Sequence, residues 1–139
     1  TECFKRAFEL AGNSPYLGMK MWVGCWPENQ AFGHLMEDIR TFTEQKKIFV
    51  VHFRNVSATI PYFEETLLED GYADMHAILE QLVRCGYDGQ LNIDHPFFNP
   101  DGKGMSRMSE AYFMGYMKGM LASVERQIGK EKENGGTVR

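Results

Sequence analysis

The chain has 139 residues, of which 43% are hydrophobic, 13% aromatic and 24% charged, and its formal net charge is −4. This length and aromatic content predict one globular domain with a packed core. A negative charge without a basic cluster disfavours nucleic acid as a partner, and the lack of an apolar run of about 18 residues disfavours a membrane span. The three cysteines, Cys3, Cys25 and Cys85, form no CxxC pair, which favours a reducing, cytoplasmic location.

The hydrophobic pattern predicts helices and strands that alternate along the chain. Helices are predicted over residues 2–10, 31–43, 75–84 and 106–127, and short apolar strands over residues 19–23, 48–51 and 91–93. Asp74 is the predicted N-cap of the third helix, and Gly86 lies at its C-terminal end. This alternation favours an α/β fold in which helices cover a parallel sheet of about three strands.

Side chains able to bind a metal or to transfer a proton follow the carboxyl end of each predicted strand. Cys25 follows the first strand, His52 and Arg54 follow the second, and Asp94 and His95 follow the third. Ligands of parallel α/β proteins bind at this edge of the sheet. A thiolate, an imidazole and a carboxylate meeting there would suit a divalent transition metal.

Each of these residues also has a plainer explanation. Cys25 could be a small buried filler, His52 a hydrogen-bonded core histidine, and Asp94 a turn residue. Those explanations do not account for the occurrence of such residues at the carboxyl end of all three strands. We therefore favour a functional site. An acidic stretch after the second strand reads as a solvated loop from which one carboxylate could reach the site; it contains Glu64, Glu65, Glu69 and Asp70.

Several motifs are distinctive together: His52-Phe53-Arg54-Asn55-Val56, Phe63-Glu64-Glu65, Asp70-Gly71-Tyr72-Ala73-Asp74-Met75 and the run from Gly86 to His95, preceded by Ser14-Pro15-Tyr16-Leu17-Gly18 and the strand ending at Cys25. With these motifs, the sequence resembles the mannonate dehydratase family over about residues 2–127. The resemblance implies a partial TIM-type (β/α) barrel related to the xylose-isomerase-like enzymes. It also implies conversion of D-mannonate to 2-keto-3-deoxy-D-gluconate and water.

The resemblance further implies a role for each candidate residue. Cys25, His52 and Asp94 match the family's metal ligands, and the implied ion is Mn²⁺, with Fe²⁺ or Mg²⁺ as alternatives. Arg54 matches an arginine that contacts the substrate, and His95 matches a proposed proton-transfer residue. The implied partners are a small sugar-acid substrate and, for the full-length enzyme, further copies of itself, with neither nucleic acid nor membrane.

The sequence departs from the family pattern at three places. Asn55 stands where the family usually has aspartate, Pro96 stands where it has glycine, and Gly104-Met105-Ser106 aligns with a Gly-Tyr-Gly stretch whose tyrosine is thought to act as an acid. A sugar isomerase or epimerase, or an inactive truncated fragment, is therefore an alternative. Because a complete barrel has eight strands and typically about 250 residues, we interpret residues 1–129 as its C-terminal portion and 130–139 as a polar flexible tail.

Overall fold

A three-stranded sheet flanked by helices forms the scaffold of the computed structural model, which describes residues 1–135. The helices are α1 (Glu2–Leu10), α2 (Cys25–Glu28), α3 (Leu35–Glu44), α4 (Met75–Arg84) and α5 (Arg107–Glu133). The strands are β1 (Met19–Trp22), β2 (Ile48–Phe53), β3 (Asn55–Val56), β4 (Glu65–Thr66) and β5 (Gln90–Ile93). Among these residues, no helix has both the length and the apolar character needed to cross a bilayer.

The main sheet has the order β1-β2-β5, and both pairings are parallel. The predicted three-stranded parallel sheet is thus confirmed. His52 lies opposite Trp22 on one side and Asn92 on the other, so the carboxyl ends of the three strands are level. Residues that follow each strand therefore meet at one edge of the sheet.

The core lies between this sheet and the helices. Val51 and Phe53 of β2 are fully buried, as are Ile39 and Phe42 of α3. The predicted cap of α4 is confirmed, because the Asp74 side chain accepts a hydrogen bond from the backbone N–H of Ala77. These helices therefore cover the sheet and bury its apolar side chains.

Two helix boundaries differ from the prediction. The helix predicted over residues 31–43 is split into a 3₁₀ turn, Gln30–Phe32, and α3, because Gly33 has φ 136° and interrupts the helical path. Helix α5 continues to Glu133, so residues 130–133 of the predicted tail are helical. An ion pair with α4 supports this last stretch, with Arg84 Nη2 placed 2.8 Å from Glu131 Oε2. Positions 136–139 lie outside the described residues.

A short antiparallel hairpin, β3–β4, continues beyond the end of β2 and was not predicted. The fully buried Asn55 fixes the loop that follows this hairpin, residues 68–73. Its Nδ2 donates to the carbonyls of Leu68 and Ala73, at 2.8 and 2.9 Å, while its Oδ1 accepts from the backbone N–H groups of Val56 and Ala73. A Cβ at Gly71 would lie 2.1 Å from Asn55 Cγ, so glycine is required there. An aspartate could not make both donations.

We expect Asn55→Asp to lower the free energy of unfolding by about 2–3 kcal/mol at pH 7, because an ionised oxygen would face two carbonyl oxygens in a buried site. That environment raises the pKa of the new carboxyl above its unfolded value, so stability is lost as pH rises through the folded-state pKa. Urea unfolding, measured against the unmodified protein at each pH, should therefore show a smaller loss at pH 4 than at pH 7.

The exposed Gln90 provides the matched control. Gln90→Glu makes the same amide-to-carboxyl change, and we expect it to stay within about 0.5 kcal/mol of the unmodified protein. An Asn55→Asp protein as stable as this control at pH 7 would contradict the assigned hydrogen bonds.

Candidate active site

The carboxyl edge of the main sheet brings His52 and Asp94 into contact. His52 is near the end of β2 and Asp94 directly follows β5, the strand that pairs with it. His52 Nδ1 lies 3.1 Å from Asp94 Oδ1, and the two side chains are 20% and 10% exposed. The structure thus brings together two of the three residues that the sequence predicts to share a cation, and the role of all three as ligands stays a prediction.

Arg54, just beyond β2, lies at the centre of the site and is only 5% exposed. Its Nη1 donates to both carboxylate oxygens of Glu65, at 2.9 and 3.1 Å, and its Nη2 donates to Glu28. Its Nε lies 3.4 Å from Asp94 Oδ2. Three carboxylates therefore surround one guanidinium, which is the arrangement a buried arginine needs to offset its loss of water.

Two of these carboxylates come from elements that sequence reasoning did not assign to the site. Glu28 ends the four-residue helix α2, and Glu65 begins β4. The acidic stretch gave the one usable signal, and Glu65 is the member of it that reaches the site. Gly24 permits the close approach of α2, since a Cβ there would lie 2.7 Å from Arg54 Cγ.

Cys25 is the first residue of α2 and contacts the same guanidinium. Its Sγ is 3.9 Å from Arg54 Nη2. A buried hydrogen bond fixes this helix, because the neighbouring Trp26 donates its Nε1–H to Asp38 of α3 at 2.8 Å. Burial and the nearby carboxylate of Glu28 raise the pKa of the Cys25 thiol, although Arg54 acts in the opposite sense.

His95 is the most open of the candidate residues, with its side chain 54% exposed. Its Nδ1 lies 2.7 Å from Glu65 Oε1 and its Nε2 lies 3.7 Å from Asp94 Oδ1. It borders a cavity of about 680 Å³ whose wall is largely apolar. The lining residues are His52, Glu65, Ile93, Asp94, His95, Pro96, Phe97, Phe98, Met105 and Glu110.

Arg54 is not among the residues that line this cavity, because Glu65 and Asp94 stand between the two. Both Nη atoms of Arg54 donate to protein carboxylates, whereas Nε has no hydrogen-bond partner among the described residues. The predicted contact between Arg54 and a substrate stays a prediction.

The donor set suits a divalent cation in part. Two ligands bound at about 2.1 Å to one ion lie roughly 3–3.5 Å apart, which matches the His52–Asp94 separation. Asp94 Oδ2 is buried and has no hydrogen-bond partner within residues 1–135. In their ionised forms, three carboxylates and one guanidinium leave two excess negative charges. Over the same residues, however, no group of three His, Cys, Asp or Glu side chains is arranged to hold a metal, so Cys25 does not complete a three-ligand group with His52 and Asp94.

The raised pKa of Cys25 predicts slow alkylation by iodoacetamide at pH 8 in the metal-free protein, because the thiolate is the nucleophile. The exposed Cys3 should react faster. Glu28→Gln removes a charge that disfavours the thiolate, and we expect it to speed the reaction of Cys25 by about two- to tenfold, which corresponds to up to about one pKa unit. Mass spectrometry of the alkylated peptides measures each site.

Cys85 serves as the internal control for this experiment. Its pKa is raised by burial and by Glu44, so Glu28→Gln should leave its rate unchanged. Equal rates for Cys25 in the two proteins would contradict the assigned role of Glu28.

Comparisons with known proteins agree with this architecture. The family model for D-mannonate dehydratase (UxuA) matches residues 2–131. A mannonate dehydratase from Streptococcus equi subsp. zooepidemicus is 30% identical over 137 residues, which cover 91% of this chain and 36% of that protein. The crystal structure of mannonate dehydratase from Streptococcus suis serotype 2 superposes with a TM-score of 0.73 at 23% identity, covering 84% of this chain and 35% of that one.

The structural likeness confirms the expected fold, a part of a TIM-type (β/α) barrel. The chain spans about a third of the length of the relatives it matches. Because the family model covers almost all of the sequence, the chain belongs to the mannonate dehydratase family.

Proposed function

We propose that this chain forms the C-terminal part of a barrel enzyme that dehydrates a sugar acid, converting D-mannonate to 2-keto-3-deoxy-D-gluconate and water. The observation that carries the proposal is the contact between His52 and Asp94 beside a carboxylate-rich cluster at the carboxyl edge of a parallel sheet. Enzymes with this fold carry their active sites at that edge. Membership of the family supplies the substrate class.

The same proposal includes a divalent metal, Mn²⁺ or alternatively Fe²⁺ or Mg²⁺. His52 and Asp94 would hold it, with Cys25 as a further ligand. The separation of the first two residues and the excess negative charge support this assignment. Asp94 Oδ2 adds to it because this oxygen accepts no hydrogen bond from the described residues, although it lies 3.4 Å from Arg54 Nε. A bound ion of this kind supplies Lewis-acid stabilisation worth several kcal/mol of the barrier.

Dehydration removes the proton on carbon 2 and expels the hydroxyl group on carbon 3 as water. The resulting enol, with its hydroxyl on carbon 2, then becomes a ketone as carbon 3 gains a proton. His95 borders the cavity and is the residue we assign to proton transfer, a contribution typically worth about 10²–10⁴-fold in rate. Phe97, Phe98 and Met105 line the same cavity, and their apolar surfaces would keep water from the reacting atoms.

The location and assembly of the enzyme are further parts of the proposal. The cysteine pattern and the family's role in metabolism favour the cytoplasm. We also propose that the full-length enzyme is a homo-oligomer.

A product assay on the full-length enzyme tests the proposal. With D-mannonate and Mn²⁺, we expect a 2-keto-3-deoxy acid, activity that chelation removes, and activity that added Mn²⁺ restores. His52→Ala should weaken Mn²⁺ binding, measured by calorimetry, at least tenfold, because it removes a ligand. The exposed His34 is the matched control, and His34→Ala should bind Mn²⁺ as the unmodified enzyme does.

Formation of a ketose would favour the isomerase alternative. Failure to convert the sugar acid in the presence of bound metal would contradict the dehydratase assignment. A His52→Ala enzyme that binds Mn²⁺ as tightly as the His34→Ala control would contradict the metal assignment.

A further inference from the structure

We propose that Glu65 is a positioning residue whose one carboxylate holds both Arg54 and His95 in place. The inference rests on the proposed function, since it assigns Glu65 the task of orienting the proton-transfer histidine. It goes further because neither the resemblance nor the strand-end pattern gives Glu65 a role.

Glu65 is well placed to act on both residues. Its two oxygens accept from Arg54 Nη1 at 2.9 and 3.1 Å, and Oε1 lies 2.7 Å from His95 Nδ1. The side chain is 29% exposed, so protein covers most of it. Its strand β4 pairs with β3, and the fully buried Asn55 of β3 ties the hairpin to the following loop. The hairpin therefore delivers a carboxylate whose position is fixed before any ligand binds.

His95 needs an external partner to fix its ring. Its side chain is more than half exposed, and it lies at the edge of the cavity rather than in the core. Its backbone has φ 50°, in the left-handed region that residues other than glycine seldom adopt. The next residue is Pro96, which ordinarily restricts its predecessor to extended conformations. This unusual backbone places His95 Nδ1 against Glu65.

The contact also decides which imidazole nitrogen is available for chemistry. An ionised carboxylate only accepts hydrogen bonds, so the Nδ1 that faces Glu65 carries a proton. In the neutral ring the lone pair is then on Nε2, the nitrogen on the side of Asp94. A proton taken from carbon 2 of a substrate would go to Nε2, and Glu65 would stabilise the imidazolium that forms. In Ser-His-Asp enzymes a carboxylate likewise orients the catalytic histidine and stabilises its imidazolium form.

Nitrogen NMR of the chain labelled with ¹⁵N-histidine tests the proposal without any activity measurement. Four histidines give four pairs of signals, and the ¹⁵N shifts at a pH where the ring is neutral show which nitrogen carries the proton. We expect His95 to carry it mainly on Nδ1. In Glu65→Gln the amide group can present N–H instead of oxygen, so the Nδ1-protonated population should fall at least twofold, towards that of the exposed His34.

The adjacent, exposed Glu64 provides the matched control, and Glu64→Gln should leave His95 unchanged. A His95 that already has the tautomer distribution of His34 in the unmodified chain would overturn the proposal. So would an unchanged distribution in a folded Glu65→Gln protein. If that variant does not fold, as judged by circular dichroism, the comparison of His95 with His34 in the unmodified chain decides alone.

Kinetics of the full-length enzyme provide the second readout. We expect Glu65→Gln to lower kcat for dehydration about 10²-fold. Glu65→Asp, which keeps the charge, should recover part of that loss, whereas a purely structural role would predict no such recovery.

An enzyme without dehydratase activity but with His95 protonated on Nδ1 would refute the proposed function and leave the positioning of His95 intact. If the enzyme is a dehydratase but Glu65→Gln leaves the tautomer distribution of His95 unchanged, only the positioning role of Glu65 is refuted.

Discussion

The buried guanidinium of Arg54 is the group on which the site depends. A charge removed from water is costly unless charged partners surround it, and here Glu28, Glu65 and Asp94 provide them. These carboxylates come from α2, β4 and the end of β5, which are separate elements of the fold. Because each must be in place for Arg54 to be paired, the arginine couples the folding of these elements to the assembly of the site.

This arrangement changes how the arginine is understood. The family resemblance implies that Arg54 contacts the substrate; in the structure its two Nη atoms donate to protein carboxylates, and Arg54 does not line the cavity. The surplus of two negative charges around it supports the proposed cation beside Asp94. In this structure Arg54 holds the carboxylates in place, and His52 and His95 contact two of them at the cavity.

The departure at Asn55 has a structural explanation. Its amide donates to two backbone carbonyls and accepts from two backbone N–H groups, which an aspartate cannot do. Through these bonds Asn55 holds the hairpin that carries Glu65 against the loop that follows it. Apolar runs and a capping aspartate were enough to predict the sheet and α4. The strand ends predicted that Cys25, His52 and Asp94 converge, and the structure shows a direct contact between the last two. The acidic stretch indicated that one carboxylate could reach the site, but not that it would be Glu65, and nothing indicated Glu28. Helix α2 and the two-residue strands β3 and β4 are too short to show any periodicity.

The central claim is that the Arg54 cluster leaves a site for one cation beside Asp94. Anomalous diffraction from crystals grown with Mn²⁺ tests it most directly. The account predicts a manganese peak bonded to a nitrogen of His52 and an oxygen of Asp94, with Arg54 still paired to Glu65. A peak remote from these two residues, or none at saturating Mn²⁺, would contradict it.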